Sequence, residues 1–367
     1  MNFQVDPGLL SAYGTLLDRN GNNLSQAKSF FSLQMTLTST DGVFIKTLVD
    51  AHEALVARTS ESLARGHDAL ETSGSELAKT ADYYRSTDGA VAANLDATYP
   101  GSPRPYVGPP GETRTQAPGN TSNGASDDVE DPLQYLVCPA TPAEFSDPLK
   151  YLNLASDLVS PTWWMNEVID IMWGFNPLDY VMRHLVGDWE GFARCALVWE
   201  QMSKAAGAVD RNVHNGLTWL SVGWEGRAAD AAVAYFDYTD QALASHRDVF
   251  HEYYKVYYDV ASDVWLGVKT LADLLKAIGD YLISIGLKFL AAKALSPTGV
   301  GGQALLALAA YDCWRVMELW AKVLEVLGKT QIVINGFAAF CLTPTPDTIN
   351  AIKVMRMPAD DYDHPAV

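Results

Sequence analysis

The sequence has few basic residues and few cysteines for its length. Its 367 residues include 26 Lys or Arg against 44 Asp or Glu, which gives a formal net charge of −18. Phosphate backbones and anionic lipids repel a surface of that sign, which argues against nucleic-acid binding and against simple adsorption to membranes. No cysteine has a second cysteine or a histidine at metal-site spacing, so we expect buried or free thiols: Cys138, Cys195, Cys313 and Cys341. One disulfide stays open as an alternative if the protein leaves the cytosol.

The sequence motifs of catalysis are also missing. There is no Gly-x-Ser-x-Gly, no Gly-rich phosphate loop with a following Lys, and no His-x-x-x-His among the seven histidines. His246 and His251 are five positions apart, which aligns them poorly for one metal ion on a helix. We therefore predict no enzyme and no catalytic, cofactor-binding or metal site. An enzyme that uses an unrecognised pair of carboxylates stays open as the catalytic alternative.

The N-terminal residues 1–7 contain no basic region followed by an apolar stretch. A cleavable signal peptide of the general secretory route requires both features. We therefore expect that, if the protein leaves the cell, another route exports it.

Helical periodicity predicts that residues 1–98 form one unit. Apolar residues recur every seven positions in its second half: Leu63, Leu70, Leu77 and Tyr84. This spacing is typical of a long amphipathic helix that packs against one partner. Small turn-forming residues at 39–42 separate this helix from an earlier apolar segment, so we predict an antiparallel helical hairpin.

The segment 99–131 is rich in Pro, Gly, Ser, Thr and Asn and ends in a run of acidic residues. Such a composition buries too little apolar area to offset the chain entropy that folding removes. We predict a disordered linker.

Residues 132–342 form the second predicted unit, a helical bundle, and an irregular tail follows at 343–367. Short helices are expected near 147–159 and 163–173, and a long helix from about Pro177 to about Leu220. The predicted fold class is therefore all-α, with two helical-hairpin or bundle units joined by a disordered Pro/Gly-rich linker.

A further helix is expected from Arg227, followed by apolar stretches at 264–295 and at 303–327, the latter ended by Gly328. Each stretch contains several charged residues. A charge at the centre of a bilayer is unfavourable by about 2.5–3.5 kcal/mol, so we expect buried helices of a bundle rather than membrane spans. A membrane-active, pore-forming protein that uses residues 264–327 is the alternative.

Trp224 and Gly226 lie between two long helical patterns and are predicted to form the turn of a second hairpin. A large indole covers the open end of such a hairpin, and glycine permits a positive φ or a close backbone approach. A second Trp-Glu-Gly at 189–191 lies inside the periodic pattern, so we interpret Asp188 before it as a local helix cap or helix start. The alternative, that the helix begins only here, would shorten this helix without changing the hairpin.

Two stretches resemble known families. Residues 223–232, Gly-Trp-Glu-Gly-Arg-Ala-Ala-Asp-Ala-Ala, resemble the Trp-x-Gly (WXG) hairpin modules of bacterial type VII (ESX) secretion substrates, which also open polymorphic toxins. Residues 81–88, Ala-Asp-Tyr-Tyr-Arg-Ser-Thr-Asp, resemble the end of the helical hairpins in the excreted virulence factor (EspC) family. They contain Tyr84-x-x-x-Asp88, which has the form of the type VII secretion signal. On a continuous helix, this spacing would put both side chains on one face.

The resemblance implies a secreted substrate and interaction module of a type VII system, recognised through Tyr84 and Asp88. Its expected partners are the secretion ATPase or a chaperone, and a partner hairpin or a second copy of the chain. In the family, one chain often supplies the Trp-x-Gly and its partner supplies the Tyr-based tail. The expected location is the medium or the cell envelope.

An aromatic cluster on the helix after the turn offers a second candidate surface. Phe250, Tyr254 and Tyr257 are spaced by three and four residues, which places them on one helix face. They form either the packed interior of the hairpin or a docking surface for a partner.

Overall fold

The computed structural model describes most of the chain, and helices dominate it. The described residues are 3–38, 41–108, 124, 126–140, 145, 174–295, 301–342 and 362–364. The helices are α1 (Pro7–Gln34), α2 (Val43–Ser86), α3 (Gly89–Asp96), α4 (Pro177–Leu185), α5 (Trp189–Gly223), α6 (Arg227–Leu295) and α7 (Gly301–Leu342). Two short strands, β1 (Gln4–Val5) and β2 (Trp224–Glu225), pair with each other, and a 3₁₀ turn covers Pro132–Tyr135. The all-α class is confirmed.

Helices α1 and α2 form the predicted N-terminal hairpin. Pro7 occupies the first turn of α1, and the Asp6 carboxylate accepts a hydrogen bond from the Gly8 amide at 2.8 Å. The two backbones approach closely where Gly14 meets Gly74, because a Cβ on Gly14 would lie 2.8 Å from the Gly74 carbonyl oxygen. Glycine is thus required at this crossing.

Helices α5 and α6 form the second hairpin, but the helix before the turn is shorter than expected. The helix expected from about Pro177 to about Leu220 is two helices, because Val186 is extended (ψ 133°) and Gly187 has φ +154°. Asp188 then caps α5 by accepting from the Gly191 amide at 2.8 Å, as the sequence indicated. The expected short helices at 147–159 and 163–173 lie outside the described residues.

The two hairpins pack side by side and share one core. Phe31 of α1 packs against Trp199 of α5 with ring centroids 4.8 Å apart, and both side chains are fully buried. His52 of α2 binds the Tyr257 hydroxyl of α6 at 2.8 Å. The hairpins therefore form a single bundle, in which buried aromatic and polar side chains both cross the interface.

Parts of the segment expected to be a linker make specific contacts with this bundle. The Asp128 carboxylate accepts hydrogen bonds from Arg19 Nε at 2.7 Å and from Asn20 Nδ2 at 3.0 Å, both on α1. The Glu130 amide donates to Asn212 Oδ1 of α5 at 3.0 Å. Residues 126–131 thus connect the two hairpins, whereas 109–123 lie outside the described residues.

Helix α6 is about twice as long as α5, with 69 residues against 35. Its second half pairs with α7, and we call residues 264–295 and 301–330 the distal hairpin. The charges inside the apolar stretches are partly explained here, because Ser284 and Lys288 both bind the Asp312 carboxylate. Contrary to expectation, Gly328 does not end the second stretch, since α7 continues to Leu342 and packs Phe337 against Tyr257.

We predict that acid weakens the contact between the hairpins through His246. Its ring is buried between the Ala242 carbonyl and the Ser62 hydroxyl of α2, both at 2.8 Å. Burial lowers the pKa of His246 to about 4. The unfolded chain therefore binds a proton more readily, so this stability is complete above pH 6.5 and declines as the pH falls towards 4.

The free energy of unfolding in urea should drop by about 2 kcal/mol between pH 7 and pH 5 from this group alone. His246→Gln should flatten this part of the pH dependence, whereas His251→Gln, which changes an exposed side chain, should leave it intact. An equal fall of the unfolding free energy between pH 7 and pH 5 in wild type and in His246→Gln would contradict the prediction.

Candidate functional site

Two residues of the turn between α5 and α6 have different tasks. Trp224 is fully buried, and its backbone pairs with Val5 of β1 in an antiparallel bridge. Gly226 has φ +140°, a conformation that residues with a side chain rarely adopt. Trp224 and Gly226 therefore both lie in the connection between α5 and α6, which also holds the N-terminal strand of the other hairpin.

The start of α6 has no capping side chain of its own and takes one from α3. The Asp96 carboxylate accepts hydrogen bonds from the Arg227 and Ala228 amides, each at 2.9 Å. A negative charge at a helix N-terminus also compensates the helix dipole. The local sequence contains a clue to this contact, because Gly226 has no side chain with which to cap α6.

The segment after α3 closes around the same turn. Arg104 donates to the carbonyl oxygens of Ser221 at 2.7 Å and Trp224 at 2.9 Å, and its guanidinium lies 3.3 Å from the Asp230 carboxylate. The Arg227 guanidinium in turn donates to the carbonyl oxygens of Ala97 and Tyr99. Sequence analysis missed Asp96 and Arg104, because their partners are more than 100 residues away.

Tyr84 and Asp88 do not lie on one continuous helix, contrary to expectation. Helix α2 ends at Ser86, and Thr87 is extended with φ −102° and ψ 138°. Asp88 then caps α3 by accepting from the Ala90 amide at 2.9 Å. Tyr84 is consequently buried, with 8% of its surface exposed, whereas Asp88 is exposed.

Tyr84 packs directly on the Trp-x-Gly turn of the other hairpin. Its ring centroid lies 6.0 Å from that of Trp224, at an interplanar angle of 73°, and 6.0 Å from that of Phe3. Burial, together with the nearby Asp96 carboxylate, raises the pKa of the Tyr84 phenol well above its ordinary value. The phenol therefore stays protonated and neutral at physiological pH.

A short part of the predicted tail, residues 362–364, covers this aromatic pair. His364 Nε2 lies 3.2 Å from the Tyr84 hydroxyl, and its ring centroid lies 6.3 Å from that of Trp224. The Tyr362 ring packs on Phe236 of α6 at 5.3 Å. No sequence pattern indicated this contact, because the Pro-rich surroundings predicted an irregular tail.

The predicted partner surface on α6 is mostly interior. Phe250 and Tyr257 are fully buried, the first against Trp199 and the second against Phe192 and Phe337. Tyr254 is half-buried. The proposed docking surface is thus wrong for Phe250 and Tyr257, and the alternative of core packing is correct for both.

The described residues contain no group of three His, Cys, Asp or Glu side chains that could hold a metal ion. Burial raises the pKa of Cys195 and of Cys341 to about 12, so neither thiol is reactive at neutral pH. The four cysteines are free thiols, and Cys138 is the exposed one.

Comparison with known proteins gives no relative for this chain, since no family model, curated protein or solved structure matches it.

We predict that Gly226→Ala destabilises the bundle at the Trp224 turn. The added Cβ would lie 2.8 Å from both Asp96 carboxylate oxygens, and the backbone would keep a φ that alanine disfavours. We expect the free energy of unfolding in urea to fall by at least about 2 kcal/mol.

Gly328→Ala is the matched control, because this glycine is exposed inside α7 and a Cβ there meets nothing within 4 Å. Alanine should raise the helix stability there by up to about 1 kcal/mol. Equal effects of the two substitutions would show that the turn does not require glycine.

Proposed function

We propose that this protein is a secreted substrate and interaction module of a bacterial type VII secretion system. On this proposal, the ATPase or a chaperone of that system recognises the end of the bundle at which Trp224, Tyr84 and Asp88 lie. One observation carries it: the Tyr-based motif of the first hairpin packs on the Trp-x-Gly turn of the second, at 6.0 Å between ring centroids.

The pairing of the hairpins supports this proposal. In the family that the sequence resembles, one chain often supplies the Trp-x-Gly and a partner chain supplies the Tyr-based tail. Here two hairpins with those features belong to one chain and share one core. On this proposal, the chain carries both parts of the export signal and requires no separate partner hairpin to complete it.

The burial pattern indicates how each residue would contribute. Trp224 and Tyr84 are covered, so they would fix the shape of this end of the bundle. Asp88 is exposed and would supply the charge that a receptor binds. A charge-assisted hydrogen bond contributes about 1.5–3 kcal/mol, which corresponds to a tenfold or greater change in affinity.

Asp88→Asn tests the proposal in the organism that produces the protein. Asparagine caps a helix as well as aspartate does, so α3 should persist while the charge is lost. We expect ATPase-dependent appearance of the protein in the medium or envelope to fall by about tenfold or more, from the loss of one charged contact.

Asp82→Asn is the control, because Asp82 is an exposed carboxylate on the last turns of α2 that pairs with Arg85. It should be exported normally. Wild-type export without an active ATPase, or undiminished export of Asp88→Asn, would refute the proposal.

A second candidate function is membrane activity of the distal hairpin. Part of α7, Gly302–Leu342, is long and apolar enough to cross a membrane by length and composition, a test that the core helix of a soluble protein also passes. Only 33% of its most apolar window is buried. The exposed large apolar side chains of the hairpin include Leu287, Phe289, Leu306, Leu308, Trp314 and Met317.

Dye release from liposomes tests this candidate. If the hairpin inserts into membranes, Leu306→Lys and Trp314→Lys should abolish dye release, because each replaces an exposed apolar side chain with a charge. A charge at the centre of a bilayer is unfavourable by about 2.5–3.5 kcal/mol. Leu282 is an unsuitable position, since it is 3% exposed and a lysine there would disrupt the hairpin itself. Wild-type protein that releases no dye would exclude this function.

A further inference from the structure

We propose that the segment Tyr362–His364 is a removable cover that conceals the Tyr84 and Trp224 pair until a binding partner displaces it. The inference rests on the proposed function for its biological purpose. The evidence for the cover itself is the set of contacts that the segment makes at this end of the bundle.

The segment contacts both hairpins at the point where their motifs meet. His364 is 1% exposed and packs its ring against Tyr84 at 5.6 Å, against Tyr99 at 5.7 Å and against Trp224 at 6.3 Å. Tyr362 is 7% exposed and lies on Tyr235 and Phe236. Asp363 between them is exposed, so the segment inserts two alternate side chains and leaves the middle one in solvent.

The two aromatic rings of the proposed signal are out of reach while the segment is in place, whereas Asp88 is exposed. Tyr84 is 8% exposed and Trp224 is 0% exposed, and His364 lies against both rings. A receptor that reads these rings would have to bind after the segment leaves. Two other contacts at this end do not involve the segment, since β1 pairs with β2 and Asp96 caps α6.

The chemistry of the segment suits reversible attachment. Its two buried side chains are amphipathic rings, which bury apolar area and also form hydrogen bonds. The groups that face His364 are acidic or phenolic: Asp96, Asp363, Glu76, Tyr83, Tyr84 and Tyr99, with the Arg227 guanidinium near Tyr99.

The charge state of His364 would adjust this attachment. Burial lowers the pKa of His364, and the carboxylates of Asp363, Asp96 and Glu76 oppose that shift. A histidine with a lowered pKa binds best when neutral, so attachment is complete above pH 6.5 and weakens as the pH falls. Mild acid therefore favours the uncovered state.

Chemical modification of Tyr84 in the full chain tests the cover. Tetranitromethane modifies accessible tyrosines, and peptide mass spectrometry resolves Tyr84 from Tyr83. We compare wild type with the double variant Tyr362→Ala, His364→Ala, and we use Asp363→Ala as the control within the same segment. Tetranitromethane should modify Tyr84 several-fold faster in the double variant, because the ring loses its contact with His364 and becomes more exposed.

A peptide of residues 358–367, added in excess to the double variant, should restore protection of Tyr84. Unchanged protection of Tyr84 in the double variant would overturn the inference. So would simultaneous modification of the core residues Tyr13 and Tyr257, because the segment would then be part of the core rather than a cover. None of these measurements uses export, so a protein that shows the cover but is not exported by the ATPase refutes only the proposed function.

Discussion

Complete burial of Trp224 is the constraint on which this end of the bundle depends. Turns usually lie at the surface, and an indole in a turn remains exposed unless other elements cover it. One hairpin alone cannot do so. Here β1 and Tyr84 come from the first hairpin, and His364 comes from a distant part of the chain. Burial of one side chain thereby fixes how the two hairpins align.

The polar contacts around the turn follow from that burial. A covered turn loses contact with water, so its backbone groups need partners within the protein. Asp96 satisfies the first amides of α6, and Arg104 satisfies the carbonyl oxygens of Ser221 and Trp224. The charge on each side chain suits the backbone group that it binds. The site is therefore ordered by hydrogen bonds that no local sequence pattern encodes.

The sequence predicted the two helical hairpins, because their signals are local, but it merged α4 and α5 into one helix. Seven-residue spacing identified α2, and the Trp224 and Gly226 pair identified the second turn. Two features escaped prediction: the backbone break at Thr87 that separates Tyr84 from Asp88, and the Asp96 cap of α6, which joins residues more than 100 positions apart. Helix periodicity also could not distinguish a buried aromatic face from a docking face. Phe250 and Tyr257 proved to be core because a second hairpin and α7 cover them.

The chain between the hairpins does more than connect them. Two hairpins on one chain meet at a high effective concentration, so their pairing requires less interface affinity than association of separate chains. The connecting residues add contacts of their own, with Arg104 at the Trp224 turn, Asp128 on α1 and Glu130 on α5. The contacts of residues 126–131 reach both hairpins and therefore resist sliding of one hairpin against the other. The register that brings Tyr84 onto Trp224 is in this way determined by the core and by the chain that links its two halves.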